Sequence, residues 1–547
     1  MTEPSDPEPI PENVSCDVLV VGYGPVGMTC AALLAHYGLA VVAVERHAGF
    51  YGLPRAGHLD SETMRIFQRL GIAESIELVA QPVRGVQIVT PEWEVLGNVE
   101  IGQSGSGWKS DLLVYQPDLE DIISARGEEL GVRLYMGTTA EAIQQDVDGV
   151  RTVVRSGRNR DQSPSTIWSR YVIGADGAGS FVRDAIGAQR RDLGFTAMPH
   201  LVVDFEYDDQ DQDIPELDQA YFVADPQRPH DVGRYGGRRN SRLEFAAKPG
   251  ETREYLEREE TVWALLAPWG MCPERGKIIR SAVYDFESSL TEPWRVGRVL
   301  LAGDAAHTMP PFMGQGMLAG LRDAENLAWK LAATTAGNAT DSILDTYETE
   351  RSPHAKAITE SSMAVASIAL VTDSEQVQAR DEMLRAGSMP QPQLPRLGQG
   401  IVRPVGADKS VGVEGRPGPQ ARVAAGTRVD LLDNHFDQQV SWRLVSRHTI
   451  PDDLLTAHHK RLLESLNMQY AHIHRGMTED QAYLWDIDAA YDAWYRSQGI
   501  KAYIERPDHY IFGAVTTMDE LPALVDELAQ VLAANGWFAA QNATSKP

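Results

Sequence analysis

One stretch near the amino terminus, DVLVVGYGPVGMTCAALLAHYGLAVVAVER at residues 17–46, limits the possible folds more than any other part of the chain. An aliphatic run leads into three glycines with the spacing G-x-G-x-x-G, which are Gly22, Gly24 and Gly27. A helical pattern follows, and a second aliphatic run then ends at Glu45. This order of strand, glycine turn, helix and strand predicts a βαβ unit of an α/β fold with a dinucleotide at its turn.

Each part of this unit has a physical task in binding a dinucleotide. Gly22 permits a tight turn, Gly24 lets the backbone approach a pyrophosphate, and Gly27 lets the helix pack closely on the strand. The amino terminus of the helix offers free N–H groups to the phosphates. Glu45 ends the second strand, close to the position about 20 residues after the first glycine where an acidic residue binds ribose hydroxyls.

Composition narrows the function of the chain. The 547 residues predict two to four domains, and a net charge of -27 argues against nucleic acid or an anionic membrane as a partner. The cysteines are Cys16, Cys30 and Cys272 and form no CxxC pair, so we expect neither a disulfide framework nor a cysteine-based zinc site, and we predict no metal. The start of the chain lacks the features of a secretory signal. We therefore expect a protein with a small-molecule function in the cytoplasm.

Two further motifs lie far from the glycine turn. In YVIGADGAGSFVRDAIG an apolar strand precedes Asp176 and Gly177, and Arg183 follows in a helical pattern. In RVLLAGDAAHTMPPFMGQGMLAG another apolar strand precedes Gly303 and Asp304, before a loop rich in proline and glycine and a long amphipathic helix. With these motifs the chain resembles the class A, single-component flavoprotein aromatic hydroxylases, whose signature is GxGxxG, a central DG and a later GD.

The resemblance covers most of residues 15–385, is nearest to the 3-(3-hydroxyphenyl)propionate hydroxylase type, and implies FAD as the cofactor. Asp304 would hold the ribityl chain of FAD. The following loop, with Pro311 and Gly314, carries little side-chain bulk, so its backbone amides can lie against a flat ring. The cofactor-binding residues predicted from the turn and from the resemblance are Gly22, Gly24, Pro25, Gly27, Glu45, Arg46, Arg55, Gln116, Asp176, Arg183, Gly303, Asp304, Pro311, Gly314, Gly316 and Met317.

The implied reaction is hydroxylation of a phenolic aromatic or heteroaromatic substrate with O2 and NAD(P)H, through a C4a-hydroperoxyflavin. No separate second GxGxxG appears, which agrees with transient binding of NADPH or NADH. The sequence leaves two alternatives open: a flavoprotein oxidase or dehydrogenase that inserts no oxygen, and a non-enzymatic FAD-binding protein.

Candidate catalytic residues are polar groups on segments expected to face a pocket between the FAD domain and an inserted sheet. The stretch GRYGGRRNSR brings four arginines together, which would attract an acidic substrate or the phosphates of NAD(P)H. His307, beside the GD motif, is as consistent with packing as with proton transfer. The predicted catalytic residues are His58, Tyr221, Arg234, Tyr235 and Pro311, with His230, Arg238 and Arg239 as further polar candidates.

We predict an α/β protein with three domains: a Rossmann-like FAD-binding domain similar to that of para-hydroxybenzoate hydroxylase, an inserted β-sheet substrate domain, and a C-terminal thioredoxin-like domain. The run ERPDHYIFG resembles the last of these. Since no cysteine follows Cys272, we expect this domain to be structural or to stabilise a homodimer, without thiol redox chemistry. The predicted boundaries are a disordered acidic tail at 1–14, the FAD-binding domain at 15–190 and 291–388, the substrate domain at 191–290, a linker at 389–420 and the thioredoxin-like domain at 421–547.

Overall fold

The structure, a computed structural model, describes most of the chain. It covers residues 10–538 apart from 51, 53–54, 84, 100–104, 158–163, 196–198, 209–218, 235–238, 389–393, 405–409 and 476–482. Tyr235 and Arg238, two of the candidate residues, lie outside the described residues, as does the predicted tail up to residue 9.

The chain begins with the predicted βαβ unit. Up to residue 192 the strands are β1 (Asn13–Val21), β2 (Val41–Val44), β3 (His58–Asp60), β4 (Gln81–Pro82), β5 (Val86–Val89), β6 (Val95–Val99), β7 (Asp111–Leu113), β8 (Arg133–Tyr135), β9 (Thr138–Gln145), β10 (Val150–Ser156), β11 (Ser165–Gly174) and β12 (Gln189–Asp192). The helices are α1 (Pro25–His36), α2 (Ser61–Arg69), α3 (Ala73–Val79), α4 (Gln116–Glu129) and α5 (Phe181–Ala185). Val18, Leu19 and Val20 of β1 are fully buried, as a central parallel strand requires. Gly38 follows α1 with a φ of 83°, a left-handed conformation that commonly ends a helix.

A second, seven-stranded sheet covers the cofactor domain. The chain between residues 200 and 284 supplies five of its strands and two helices. The strands are β13 (His200–Tyr207), β14 (Ala220–Val223), β15 (His230–Arg234), β16 (Asn240–Ala246) and β17 (Gly276–Tyr284), and the helices are α6 (Arg253–Leu256) and α7 (Glu259–Leu266). The strand order is β17-β13-β16-β15-β14-β5-β6. The sheet therefore takes two strands from residues 86–99, outside the predicted 191–290, because β5 pairs in parallel with β14.

The GD motif leads into the longest buried helix of the cofactor domain. This part of the chain forms β18 (Ser289–Glu292), β19 (Arg295–Val296), β20 (Val299–Leu301), β21 (His307–Thr308), α8 (Gly316–Thr335), α9 (Asp345–Ala369) and α10 (Ser374–Arg385). The main sheet has the order β19-β20-β11-β1-β2-β8, with β10 on β11 and β9 on β10. Residues 318–334 of α8 are all buried, so the helix that the sequence presents as amphipathic is covered on every side.

The C-terminal domain supplies the cover over α8. It contains β22 (Arg422–Ala425), β23 (Arg428–Leu431), β24 (Arg443–Ser446), β25 (Gln469–His474), β26 (Tyr483–Asp486), β27 (Ala502–Glu505), β28 (Ile511–Val515), α11 (Ala457–Ser465), α12 (Ala490–Gln498) and α13 (Leu521–Ala534). Its sheet has the order β23-β22-β26-β25-β24-β27-β28, with β24 parallel to β25 and antiparallel to β27. Helices therefore alternate with strands in this domain, and the thioredoxin-like assignment stays a prediction.

The C-terminal domain is joined to the cofactor domain by buried contacts. Arg65 of α2 pairs with Asp433 at 2.6 Å and with Glu505 at 3.1 Å, and the ring centroids of Trp329 and Trp442 lie 6.2 Å apart. The described parts of the predicted linker pack as well, since Leu397, Ile401 and Val413 are buried. The linker backbone also bonds to Glu350 of α9 and to Phe512 of β28. Among the described residues, no helix combines the length and apolar character needed to cross a bilayer.

Candidate active site

A cavity of about 940 Å³ lies between the glycine turn, the loop after the GD motif and the inner face of the seven-stranded sheet. Most of the predicted cofactor-binding residues line it. Gly27, Arg183 and Gly303 do not, and they lie behind the lining in the backbone turns that carry it. The three motifs that are distant in sequence therefore meet at one cavity.

The glycines of the first turn differ in what surrounds them. Gly22 has a φ of 95°, and a Cβ there would lie 2.5 Å from the carbonyl oxygen of Ala175. A Cβ at Gly27 would lie 2.1 Å from the carbonyl oxygen of Gly22. A Cβ at Gly24 would meet no protein atom within 4 Å. The first two glycines are therefore required by the fold, whereas Gly24 borders open space in front of α1.

Glu45 is fixed at the carboxyl end of β2. Its carboxylate accepts hydrogen bonds from the backbone N–H groups of Tyr23, at 2.9 Å, and His47, at 3.0 Å. These contacts hold it at the cavity edge beside the glycine turn, together with its neighbour Arg46. This is where an acid must stand to accept hydrogen bonds from ribose hydroxyls.

The DG turn is held by its own side chains. Asp176 accepts hydrogen bonds from the Ser180 hydroxyl and from the backbone N–H of Val182, at 3.1 Å for the latter. Burial raises the pKa of Asp176 despite these donors. Arg183 donates to the carbonyl of Ala178 at 2.8 Å, so it fixes the turn from outside the cavity.

The GD turn is anchored to α8. Gly303 has a φ of 61°, and its N–H donates to Asp323 at 3.1 Å. Asp323 also contacts His307 Nε2 at 2.7 Å and Arg351 Nε at 2.9 Å, which agrees with a packing role for His307. Asp304 faces the cavity, and desolvation by the surrounding protein raises the pKa of its carboxyl group.

Arg55 and Gln116 lie on the other side of the cavity. The Gln116 side-chain oxygen accepts hydrogen bonds from the backbone N–H groups of Arg55 and Ala56, both at 2.8 Å, and so positions the segment before β3. Gly314 has a φ of 59°, and a Cβ there would lie 2.9 Å from the Cβ of His58. The loop with Pro311, Gly314, Gly316 and Met317 therefore runs directly against this segment.

The predicted catalytic residues fall into two groups. His58 and Pro311 line the cavity, and His58 Nε2 is 2.8 Å from Asp111 Oδ1. Tyr221 borders the cavity, but its ring packs on Trp93 at 5.2 Å, on the same face of the sheet as His230. Arg234 does not line the cavity and instead lies over the ring of Tyr207, at 5.7 Å from its centroid. His230 stacks on Phe245 at 5.3 Å, and Arg239 pairs with Glu206 at 2.7 Å. Successive side chains of a strand point to opposite faces, so His230 and Arg234 are on the face of β15 that turns away from the site.

A charged group on the inner face of the sheet was predicted only in part: Arg242 belongs to the arginine-rich stretch GRYGGRRNSR, whereas its neighbours were missed. Asp231, Arg242, Glu244 and Arg280 line the cavity, and Asp204 lies beside them. Arg242 Nε is 2.8 Å from Asp204 Oδ1. A signal was present, because β16 carries the charges Arg242 and Glu244 at alternate positions, with Leu243 and Phe245 next to them.

FAD fits the residues around this cavity. Gly24, Gly177 and Gly179 border space in which a Cβ would meet no protein atom within 4 Å, so the backbone leaves a cradle beside the amino terminus of α1. Glu45 and Asp304 face the same space and are acceptors suited to ribose and polyol hydroxyls. The fold and the site together define a dinucleotide-binding flavoprotein.

Comparisons with known proteins identify the family. Residues 15–362 match the FAD binding domain family, and residues 415–531 match the HcaD C-terminal domain. The chain is 35% identical over 526 residues to a probable NADH-specific resorcinol 4-hydroxylase of Rhodococcus jostii (strain RHA1), covering 94% of this chain and 95% of that protein. It is 34% identical to a 3-(3-hydroxy-phenyl)propionate/3-hydroxycinnamic acid hydroxylase of Mycolicibacterium smegmatis (strain ATCC 700084 / mc(2)155), covering 68% of this chain and 65% of that protein.

Two solved structures support the fold. The flavin-dependent monooxygenase PieE, in complex with FAD and substrate, has a TM-score of 0.78 at 21% identity and covers 95% of this chain and 99% of its own. Aklavinone-11 hydroxylase, in complex with FAD and aklavinone, has a TM-score of 0.75 at 23% identity and covers 94% and 98%. The chain belongs to the class A, single-component FAD-dependent aromatic hydroxylases, the family of monooxygenases that use NAD(P)H and O2.

Proposed function

We propose that this hydroxylase acts on a small, neutral phenol of the resorcinol type with NADH as the electron donor, by analogy with the 35% identical relative named a probable NADH-specific resorcinol 4-hydroxylase. The observation that carries the proposal is the charge of the cavity wall. On the sheet side of the cavity, away from the residues assigned to FAD, the three acids Asp204, Asp231 and Glu244 accompany two arginines, and among the described residues no lysine lines the cavity. A wall with an excess of acids favours a neutral aromatic over a carboxylated one, because a further negative charge would be repelled.

Different residues of the chain would bind different parts of FAD. The turn at Gly22 and Gly24 and the amino terminus of α1 would hold the pyrophosphate, Glu45 the ribose, and Asp304 the ribityl chain. The backbone of the loop at Gly314 would lie beside the ring. Bound FAD supplies the two-electron exchange with the nicotinamide and the activation of O2.

Aromatic side chains would hold the substrate ring and exclude water. Phe312 of the GD loop lies 6.4 Å from Phe222 of β14 and 6.4 Å from Phe286, measured between ring centroids. All three line the cavity, so an apolar surface joins the loop to the sheet. Substrate bound there is shielded from solvent, which strengthens its polar contacts.

His58 is the residue that we propose to handle the phenol proton. Its Nε2 is bound to Asp111, which fixes the ring, while its buried Nδ1 has no hydrogen-bond partner among the described residues. A phenol hydroxyl at Nδ1 would satisfy this atom and gain phenolate character as its proton moves to the imidazole.

The test measures anaerobic reduction of the FAD-loaded enzyme by NADH and by NADPH in a stopped-flow instrument. We expect resorcinol to accelerate reduction by NADH well above the substrate-free rate, and 3-(3-hydroxyphenyl)propionate to do so far less. Faster reduction with the propionate than with resorcinol would contradict the proposal. So would a failure of every compound in a wider panel of phenols and hydroxyquinolines to accelerate reduction. Product analysis separates hydroxylation from dehydrogenation, because hydroxylation adds one oxygen atom that derives from O2.

We also propose that the enzyme is cytoplasmic and forms a homodimer. The unpaired state of Cys16, Cys30 and Cys272 supports a cytoplasmic location. Light scattering of the purified enzyme would test the homodimer, and a monomer at micromolar concentration would rule it out.

A further inference from the structure

The inner face of the seven-stranded sheet carries a group of charges whose arrangement follows from strand register. Asp231 on β15 lies directly opposite Glu244 on β16, and Arg242, two residues before Glu244, lies opposite Asp204 on β13. Asp204 in turn lies opposite Arg280 on β17. Cross-strand partners point to the same face, so these five side chains form one continuous polar surface.

Both arginines of this surface are already engaged. Arg242 contacts both oxygens of Asp204, at 2.8 and 3.3 Å, and also donates to the backbone carbonyl of Arg55 at 2.8 Å. Arg280 lies 3.9 Å from Asp204 and stacks over the ring of Tyr284 at 4.7 Å. Three acids face two arginines, so the surface has no surplus cation for a substrate carboxylate.

Asp231 differs from the other four charged residues. No side chain in the described part of the chain donates a hydrogen bond to it or forms an ion pair with it, whereas Glu244 has Arg242 at 3.9 Å. Burial and the neighbouring Glu244 raise the pKa of Asp231 well above its usual value. Burial also raises the pKa of Glu244. A proton shared between two facing carboxyl groups would give the pair a donor and an acceptor together.

The surroundings of Asp231 place it beside the aromatic part of the cavity. Phe222 on β14 is its cross-strand partner on the other side, and Phe222 packs against Phe312 of the GD loop. A ring held among these phenylalanines would therefore lie next to a carboxyl group to which no side chain of the described residues donates a hydrogen bond and which is bonded by its own backbone N–H. A carboxyl group that faces a cavity with free hydrogen-bonding capacity gains a partner when a ligand hydroxyl enters.

We propose that Asp231, backed by Glu244, is the residue that recognises a hydroxyl group of the substrate. This inference rests on the proposed function, and it adds a second polar contact to the one proposed at His58. The enzyme would thereby select a ring with two hydroxyl groups over a ring with one. A hydroxyl matches Asp231 because it both donates and accepts a hydrogen bond.

The experiment compares two ligands and measures their dissociation constants by calorimetry on the FAD-loaded enzyme, without turnover. Resorcinol has two hydroxyl groups, and 3-methoxyphenol has one of them methylated. We expect the wild type to bind resorcinol about 10-fold more tightly, the usual size of a hydrogen bond to a buried acid. Asp231→Leu, which keeps the size but removes the hydrogen bond, should bring the two constants within about 2-fold. Asp231→Ala serves the same purpose if the leucine variant does not fold.

Two further variants separate recognition from a general effect on structure. Asp231→Asn keeps a donor and an acceptor and should retain most of the preference for resorcinol. Glu206→Gln changes an acid of the same sheet that does not line the cavity and pairs with Arg239 and Lys277, so it should leave both constants unchanged. An undiminished preference in Asp231→Leu or Asp231→Ala would overturn the assignment of Asp231 alone. If the wild type bound neither ligand, the proposed function itself would fail.

Discussion

Alanine at two glycines of the first turn should have opposite effects on folding and on cofactor binding. Gly24 has a φ of −81° and a ψ of −177°, which alanine adopts without strain, and its Cβ would meet no protein atom within 4 Å. The Cβ of alanine at Gly27 would lie 2.1 Å from the carbonyl oxygen of Gly22 and 3.4 Å from the Cβ of Ala175. The two variants therefore place the same methyl group in open space in one case and in backbone in the other.

The magnitudes follow from these distances. Gly24→Ala should leave the apoprotein as stable as the wild type or more stable by about 0.4–1 kcal/mol, because alanine restricts the unfolded chain. The methyl group would occupy space needed by the pyrophosphate and cost about 1–3 kcal/mol of binding, which is roughly 5- to 150-fold in the Kd for FAD. Gly27→Ala must displace backbone, so it should destabilise the apoprotein itself by about 1–3 kcal/mol or more.

The assay needs two measurements on each variant. Urea unfolding of the apoprotein gives the free energy of unfolding, and quenching of FAD fluorescence gives the Kd. The wild-type apoprotein is the common reference. If Gly24→Ala bound FAD with wild-type affinity, or if it lost as much folding stability as Gly27→Ala, the placement of the pyrophosphate at this turn would be wrong.

Two further predictions concern buried acids. Burial alone would raise the pKa of Glu350, but Arg506 and its other partners hold it at about 2, against an ordinary value of 4.5. The lowered pKa means that ionised Glu350 contributes about 3 kcal/mol to the free energy of unfolding. This contribution is complete above pH 4.5 and is lost as the pH falls towards 2. Glu350→Gln should therefore be less stable than the wild type at neutral pH, with a difference that shrinks on acidification in urea titrations; a difference independent of pH would contradict this. Asp323→Asn should lose about 3 kcal/mol of unfolding free energy, because Arg351 loses its buried counter-charge, and it should release FAD more readily, because the acceptor for the Gly303 N–H is weakened. Unchanged FAD retention on gel filtration would refute that link.

The turns around the cavity could be predicted from the sequence because they depend on backbone conformation. Positive φ at Gly22, Gly303 and Gly314 restricts the residue type, so the motif is visible in the letters alone. The order of strand, turn and helix around each motif is local as well. Short-range patterns therefore led to the family and to the side of the cavity expected to bind the cofactor.

The substrate side could not be predicted in the same way. Asp231 and Glu244 become neighbours only through the register of β15 on β16, and a shift of one residue would turn both to the opposite face. Arg234 was chosen for its charge, yet the same alternation turns it away from the cavity. The pairing of β5 with β14 joins parts of the chain more than 100 residues apart and leaves no local signal.

The burial of α8 links the C-terminal domain to the active site. The loop that faces the cavity ends at Gly316, where α8 begins, and Trp329 and Asn326 on the same helix bond to Asp508 of the C-terminal domain. The helix that ends the loop is therefore held from behind by a domain that carries no cysteine. Buried ion pairs contribute little net stability, but breaking one is costly, so they disfavour any other docking geometry. The C-terminal domain thus serves the site by fixing the helix on which the loop depends.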